Sequence, residues 1–185
     1  MIRFYAGVGS RETPENVLGL MFDLGYNLSL AGWTLRTGVA PGADQAFIRG
    51  ACADDAGNVV GYLPWPMFEA DFVRSHNIDT QNNPEAWTYP AAAQFHPSWD
   101  RLTQGAQKLH ARNVHQIRGW QETSPLSSFV ICWTKDGEAT GGTGQAIRIA
   151  QHYKVPVFNL QRHADKQRVL TFLEAATVAV AEPLT

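Results

Sequence analysis

Hydrophobic positions along the chain follow two alternating patterns. Short, mostly apolar runs are separated by longer stretches in which apolar residues recur with helical spacing. The short runs are typical of buried strands, and the longer stretches are typical of helices with one buried face. We predict strands at residues 2–7, 33–38, 58–64, 127–134 and 155–160. We predict helices over residues 14–31, 43–53, 98–119 and 165–180, and a loop leading into a helix over 141–153.

The order of these elements predicts the fold class. Strands and helices alternate, which is typical of a parallel sheet covered by helices on both faces. The sequence therefore predicts an α/β fold with a doubly wound, mostly parallel, Rossmann-like sheet. Residues 1–185 are predicted to form a single domain, because a chain of 185 residues can bury one core well and is short for two.

Residues 64–98 depart from this alternation. The segment is interrupted by Pro64, Pro66, Pro84, Pro90 and Pro97, and proline breaks the hydrogen bonding of helices and strands. We predict an insertion with short helical pieces that acts as a lid or as a contact between subunits. Its residues Trp65 and Trp87 either stack on a nucleobase or pack within that lid or contact.

Three glycine-bearing segments follow predicted strands and lead into helices. They are GVGSRETP at residues 7–14, TGVAPGAD at 37–44 and GGTGQA at 141–146. The free N–H groups and the dipole of a helix N-terminus favour an anion, and glycine lets the main chain approach it closely. Because ligands of doubly wound sheets bind outside the carboxyl ends of the strands, the sequence predicts a phosphate site there, with a nucleotide as the ligand and no required cofactor.

The residues predicted to form this site are of three kinds. The glycines are Gly7, Gly9, Gly38, Gly42, Gly141, Gly142 and Gly144. Ser10, Thr13 and Thr143 add hydroxyl donors, and Arg11 adds a guanidinium fork. Thr13 is also the expected N-cap of the first helix. The dinucleotide fingerprint is not met, because Glu12 occupies the place of its third glycine, and the P-loop pattern is absent.

Two further polar groups belong to the candidate site. Lys108, Arg112 and His115 recur on one side of the helix 98–119, where they either line a phosphate groove or form an ordinary solvated face. Asn113 points to the core side of that helix and is predicted to bind a loop backbone or the ligand. Asp44 begins the second helix, where its carboxylate either stabilises the helix dipole or contacts ribose hydroxyls or a base.

Composition narrows the choice of partners and compartment. The net charge is −2, so the chain lacks the positive charge with which many proteins hold nucleic acid. Cys52 and Cys132 lie in apolar stretches without metal-ligand spacing, which is typical of reduced thiols. No apolar run is long enough for a membrane span. We therefore predict a cytoplasmic protein with no membrane partner and no metal site.

Four motifs resemble the SLOG superfamily of Rossmann-like proteins. They are VGSR, RTGVAPGADQAF, HARNVHQI and GGTGQAIRIA. Within the superfamily the chain is most similar to the DNA-processing protein A (Smf) family and to phage-encoded members. The resemblance implies a Rossmann-like core, a homo-oligomer, DNA processing as the process served and, for a phage protein, the host cytoplasm. It also assigns Arg112 and Asn113 to the family's Arg-Asn motif.

The cytokinin-activating LOG branch of the same superfamily implies an enzyme. That branch cleaves the N-glycosidic bond of nucleoside monophosphates and carries a catalytic glutamate in its glycine motif. This chain has Gln145 and Arg148 where that motif has threonine and glutamate. The difference argues against the reaction, unless Asp44, Glu12 or Glu138 supplies the carboxylate.

Three functions therefore compete. The leading hypothesis is a non-enzymatic Rossmann-like protein that binds a nucleotide or nucleotide-derived small molecule, for DNA processing or for capture of a nucleotide signal. The first alternative is a LOG-like N-glycosidase. The second is a recombination mediator that binds single-stranded DNA, for which affinity is expected to depend strongly on salt.

Overall fold

The computed structural model describes residues 2–53 and 57–181. The strands are β1 (Arg3–Gly7), β2 (Trp33–Thr37), β3 (Val59–Leu63), β4 (Asp79–Asn82), β5 (Val130–Cys132) and β6 (Val157–Asn159). The helices are α1 (Glu15–Leu30), α2 (Ala43–Ala51), α3 (Ala70–Ser75), α4 (Thr88–Ala93), α5 (Gln104–Arg118), α6 (Gly141–His152) and α7 (His163–Ala181). A short 3₁₀ turn, Trp99–Arg101, precedes α5.

The six strands form one sheet in the order β4-β3-β2-β1-β5-β6, and every pair is parallel. Alternate residues of a strand point to opposite faces of the sheet, and each face is covered by its own hydrophobic cluster. Tyr5 packs among residues of α1, α2 and α7, whereas Ala6 packs among residues of α4, α5 and α6. Burial on both faces explains why β5, with the sequence VIC, is continuously apolar. The predicted α/β, doubly wound fold is confirmed.

The direction of strand addition reverses between β1 and β5. From β1 the chain builds outward through β2, β3 and β4, and it then returns to place β5 on the other side of β1. In open parallel sheets a crevice forms at this switch point, outside the carboxyl ends of the strands. Two of the glycine-bearing segments, 7–14 after β1 and 141–146 after β5, follow the strands that flank this switch point.

Residues 64–98 contain a strand that the sequence analysis missed. β4 pairs with β3 from Val60 and Asp79 to Leu63 and Asn82, and it extends the sheet at its edge. Its sequence is DTQN, and none of its four residues is buried. Polar edge strands protect a sheet from pairing with other chains, but they lack the apolar pattern that reveals a strand. The short helices predicted here are present as α3 and α4, and the role as a lid or subunit contact stays a prediction.

Two helix starts differ from the prediction. Thr13 does not cap α1, because its hydroxyl donates to the carbonyl oxygen of Ser10 at 2.7 Å and Pro14 occupies the N-cap position. The predicted helix 98–119 is divided into the 3₁₀ turn and α5. The division falls at Thr103, whose side chain caps α5 by accepting from the amide of Ala106 at 3.3 Å.

Within residues 2–53 and 57–181, no helix has both the length and the apolar character to cross a bilayer.

Candidate functional site

A cleft of about 500 Å³ opens at the carboxyl end of the sheet, between the turns that follow β1, β2 and β5. α5 forms its remaining wall. The predicted residues that line it are Gly9, Ser10, Arg11, Asp44, Arg112, Asn113, Gly141, Gly142 and Thr143. Gly7, Thr13, Gly38, Gly42 and Gly144 are not among the lining residues. The three glycine-bearing turns therefore converge at one rim of the sheet, as their positions in the sequence suggest.

The start of α6 is open toward this cleft. Gly141 and Gly142 are exposed, and a Cβ atom on either would meet no atom within 4 Å. Gly144, one residue past Thr143, is the opposite case, since its Cβ would lie 2.2 Å from the backbone of Ala139. The first amides of a helix have no acceptors within the helix, and they carry its positive dipole end. The geometry therefore offers an anion both room and donors at the start of α6.

Two exposed cations stand in the cleft wall near these turns. They are Arg11, from the turn after β1, and Lys135, from the segment after β5. Arg11 belongs to the predicted site, whereas Lys135 was not predicted. Both side chains are free to follow a bound anion, because their exposure leaves them solvated and mobile at little cost.

The turn after β2 differs from the expectation of free amides. Asp44 accepts hydrogen bonds from the amides of Gly38 at 3.2 Å and Ala40 at 3.3 Å. The amides of Gly38 and Ala40 are therefore not open to an anion, because the chain's own carboxylate takes them. Burial raises the pKa of Asp44 to about 6, while Arg112 and the backbone donors lower it. The carboxylate is thus ionised at neutral pH and suits hydroxyl or N–H donors.

Arg112 lines the cleft and is buried, with 8% of the residue exposed. One of its Nη atoms donates to the carbonyl oxygen of Gly38, and its guanidinium carbon stands 5.4 Å from the centre of the Phe68 ring. Its Nε has no hydrogen-bond partner among the described residues. That Nε is shielded from solvent, so it is an uncompensated buried donor in the wall of the cleft and is not exposed to a ligand.

The cationic stripe on α5 is not a solvated face. Arg112 and His115 are buried, and burial lowers the pKa of His115 to about 4, so this imidazole is neutral at pH 7. His115 bonds the carbonyl oxygen of Gly119 through Nδ1 and accepts from the amide of Glu85 through Nε2. Lys108 donates to Asn83 and does not line the cleft. Arg112 alone of the three faces the cleft.

Asn113 belongs to a buried amide network between α5 and α6. Its Nδ2 donates to the carbonyl oxygen of Gly142 at 3.3 Å and to Oε1 of Gln145 at 3.0 Å. The core-side position is confirmed, and the partner is the backbone of the glycine turn. The sequence analysis did not assign Gln145 or His110 to the site. The spacing of His110 and Asn113, three residues apart on one helix face, was the available signal.

Arg148 stands at the position of the LOG glutamate and is tied to the backbone. Its Nε and Nη2 donate to the carbonyl oxygen of Phe95 at 3.0 and 2.8 Å, and its Nη1 donates to Ala139 at 2.6 Å. It joins the end of the 64–98 segment to the turn before α6. Of the substitute carboxylates, Asp44 and Glu12 line the cleft, whereas Glu138 does not.

No family model matches the sequence, and no curated protein sequence matches it. The fold is similar to that of a DNA processing protein A from Helicobacter pylori, whose structure was described for its binding of single-stranded DNA. The TM-score is 0.60 and the sequence identity is 16%, and the match covers 94% of this chain and 81% of that chain. It is also similar to the Moco carrier protein from Chlamydomonas reinhardtii, with a TM-score of 0.54, 18% identity, and coverage of 97% and 96%. These likenesses show a shared Rossmann-like fold.

Proposed function

We propose that the chain binds a nucleotide or nucleotide-derived phosphate compound in this cleft. The phosphate lies at the start of α6, and the uncharged part of the ligand extends toward Asp44. The observation that supports this placement most directly is the open start of α6, whose exposed Gly141 and Gly142 line the same cleft as Arg112. The cleft volume also falls within the range of small-molecule sites.

Charge divides the proposed site into two parts. Lys135 and the dipole of α6 favour a phosphate at the start of α6, whereas the ionised carboxylate of Asp44 lies beside the turn after β2, where the backbone of Arg11 packs against Gly42. A carboxylate that faces a ligand accepts hydrogen bonds from hydroxyl or N–H groups. This distribution fits a molecule with one anionic end and one donor-bearing end, such as a nucleoside monophosphate.

Capture without chemical conversion is the role that we propose, in DNA processing or in retention of a nucleotide signal. Support comes from the Chlamydomonas neighbour, which is named as a carrier of a small-molecule cofactor.

The N-glycosidase alternative requires a carboxylate beside the scissile bond, and Asp44 and Glu12 are the candidates in the cleft. Incubation with nucleoside monophosphates tests it, since release of free base would show the enzyme.

Binding of single-stranded DNA is the second candidate function. The observation that favours it is the likeness to the Helicobacter pylori protein, whose structure was described for that activity. Contacts to several DNA phosphates release counterions, so affinity for DNA falls steeply as salt increases. A nucleotide held by one phosphate group has a shallow salt dependence. Affinities for a short oligonucleotide and a mononucleotide at two salt concentrations therefore separate the two functions.

A thermal-shift screen tests the proposed function. The compounds are nucleoside mono- and diphosphates, dinucleotides, cyclic dinucleotides, ADP-ribose and a short single-stranded DNA. A compound present at 100 times its dissociation constant stabilises the folded state by about 2.7 kcal/mol. We expect at least one mononucleotide or nucleotide derivative to do so. A screen in which no phosphate compound raises the melting temperature would contradict the proposal.

A further inference from the structure

The orientation of the Gln145 side-chain amide is fixed by two backbone carbonyls. Its Nε2 donates to the carbonyl oxygen of Ala92 at 2.9 Å, which only an N–H group can do. Its Oε1 accepts from Nδ2 of Asn113, and that Nδ2 is oriented in turn by the carbonyl oxygen of Gly142. Exchanging the oxygen and nitrogen of Gln145 would set oxygen against oxygen at Ala92. The oxygen of Gln145 therefore faces α5.

This orientation determines the tautomer of His110. Nδ1 of His110 lies 2.7 Å from Oε1 of Gln145. Because an amide oxygen only accepts, Nδ1 carries the proton. A neutral imidazole has one N–H, so Nε2 is unprotonated and is a hydrogen-bond acceptor. No described residue forms a hydrogen bond with Nε2, while His110 lines the cleft.

The surroundings of His110 keep the ring neutral. Burial lowers its pKa, and the charges of His96, Arg112 and Arg148 lower it further, whereas the hydrogen bond to Gln145 raises it. These groups come from the segment after α4, from α5 and from α6, the elements packed around the ring. The centre of the His96 ring lies 4.5 Å from that of His110.

We propose that His110 is a specificity-determining residue of the cleft, whose Nε2 accepts a hydrogen bond from an N–H or O–H group on the uncharged part of the ligand. The inference rests on the proposed function, since it assigns a contact within the same site. A fixed acceptor favours ligands that carry a donor at that point, such as a nucleobase amine or a sugar hydroxyl. It disfavours ligands that present only acceptors, because the imidazole then loses a water partner without replacement.

Nitrogen-15 NMR of the ligand-free protein at neutral pH tests the tautomer. The His110 signals are identified by their disappearance in the His110→Ala variant. We expect long-range proton–nitrogen couplings to show a protonated Nδ1 and an unprotonated Nε2. A protonated Nε2, or a doubly protonated ring, would overturn the inference. The tautomer is read from the wild-type chain, and the variant serves only to assign the His110 signals.

Calorimetry with four ribonucleoside monophosphates and with inorganic phosphate tests the contact. We expect His110→Ala to weaken the tightest nucleotide by about 3- to 10-fold, the effect of one neutral hydrogen bond, and to leave the affinity for phosphate unchanged. His163→Ala is the matched control, because His163 is exposed at the start of α7 and lies outside the cleft lining. Equal nucleotide affinity in wild type and His110→Ala overturns the inference and leaves the proposed function standing. A wild-type chain that binds neither phosphate nor any of the nucleotides overturns both.

Discussion

Substitution of Gly142 by valine removes the open space over the start of α6. A Cβ at this position meets no atom within 4 Å, and Gly142 is not among the described residues with positive φ. A Cβ is therefore accommodated without strain, and the two methyl groups of valine extend from it into the space where the proposed phosphate approaches the first amides of the helix. The change places an obstacle in the cleft without altering the packing of the protein.

The size of the effect follows from the bonds that the obstacle prevents. Hydrogen bonds to a charged group contribute about 1.5–3 kcal/mol, which corresponds to a loss of about 10- to 150-fold in affinity. Stability changes little, because valine has a higher helix propensity than glycine by only about 0.3–0.5 kcal/mol. We expect calorimetry with a bound nucleotide to show this loss, and urea unfolding to show the wild-type midpoint.

Gly105→Val is the matched control. Gly105 is the second residue of α5, as Gly142 is of α6, and a Cβ on Gly105 would lie 3.9 Å from a ring atom of Trp65. It lies outside the cleft lining, so the control adds the same side chain at the same helix position without blocking the site. Unchanged affinity in Gly142→Val would refute the placement of the phosphate. Unfolding of Gly142→Val would refute the claim that the space is open.

Three further changes test other parts of the account. Arg11→Ala is expected to weaken nucleotide binding about tenfold with no change in stability. The control is Arg74→Ala, at an exposed arginine of α3, which is expected to leave the affinity unchanged. Equal losses of nucleotide affinity in the two variants would count against the site. The pKa of Asp44 rises from its ordinary value of 3.8 to about 6 in the folded chain. Between these two pH values the folded chain binds more protons than the unfolded chain. The contribution of Asp44 therefore makes the free energy of unfolding fall as pH rises through that window. Asp44→Asn removes that contribution of roughly 3 kcal/mol, which urea titrations at several pH values measure; identical pH profiles would contradict it. Arg148→Glu sets a carboxylate against the carbonyl oxygen of Phe95, so we expect it to destabilise the fold by roughly 3 kcal/mol. We also expect this variant to release no base from nucleotides. A stable, base-releasing variant would contradict the structural role of Arg148.

The sequence predicts most of the central sheet because its signals are local and strong. β5 is continuously apolar, and its position between two helices is typical of a parallel strand with both faces covered. β4 could not be predicted in this way, because an edge strand of polar residues has no apolar pattern. The lid or oligomer role of residues 64–98, the phage origin and the homo-oligomer stay predictions. Sedimentation velocity measures the oligomeric state.

The candidate site is predictable in outline and not in its bonding. Glycines before helices indicate where the main chain turns, so the convergence of three turns follows from the order of the elements. Competition for the amides is harder to see, because Asp44 takes the donors of Gly38 only once the turn has folded. The contact of His110 with Gln145 joins residues 35 positions apart, and no local pattern encodes such a pair.

Backbone amide NMR during titration with inorganic phosphate tests the central claim most directly. If the start of α6 binds the phosphate, the amides of Gly141, Gly142 and Thr143 shift together with that of Arg11, and all four follow one saturable binding curve. Shifts confined to other parts of the sheet, or linear drift without saturation at these four residues, would contradict the account.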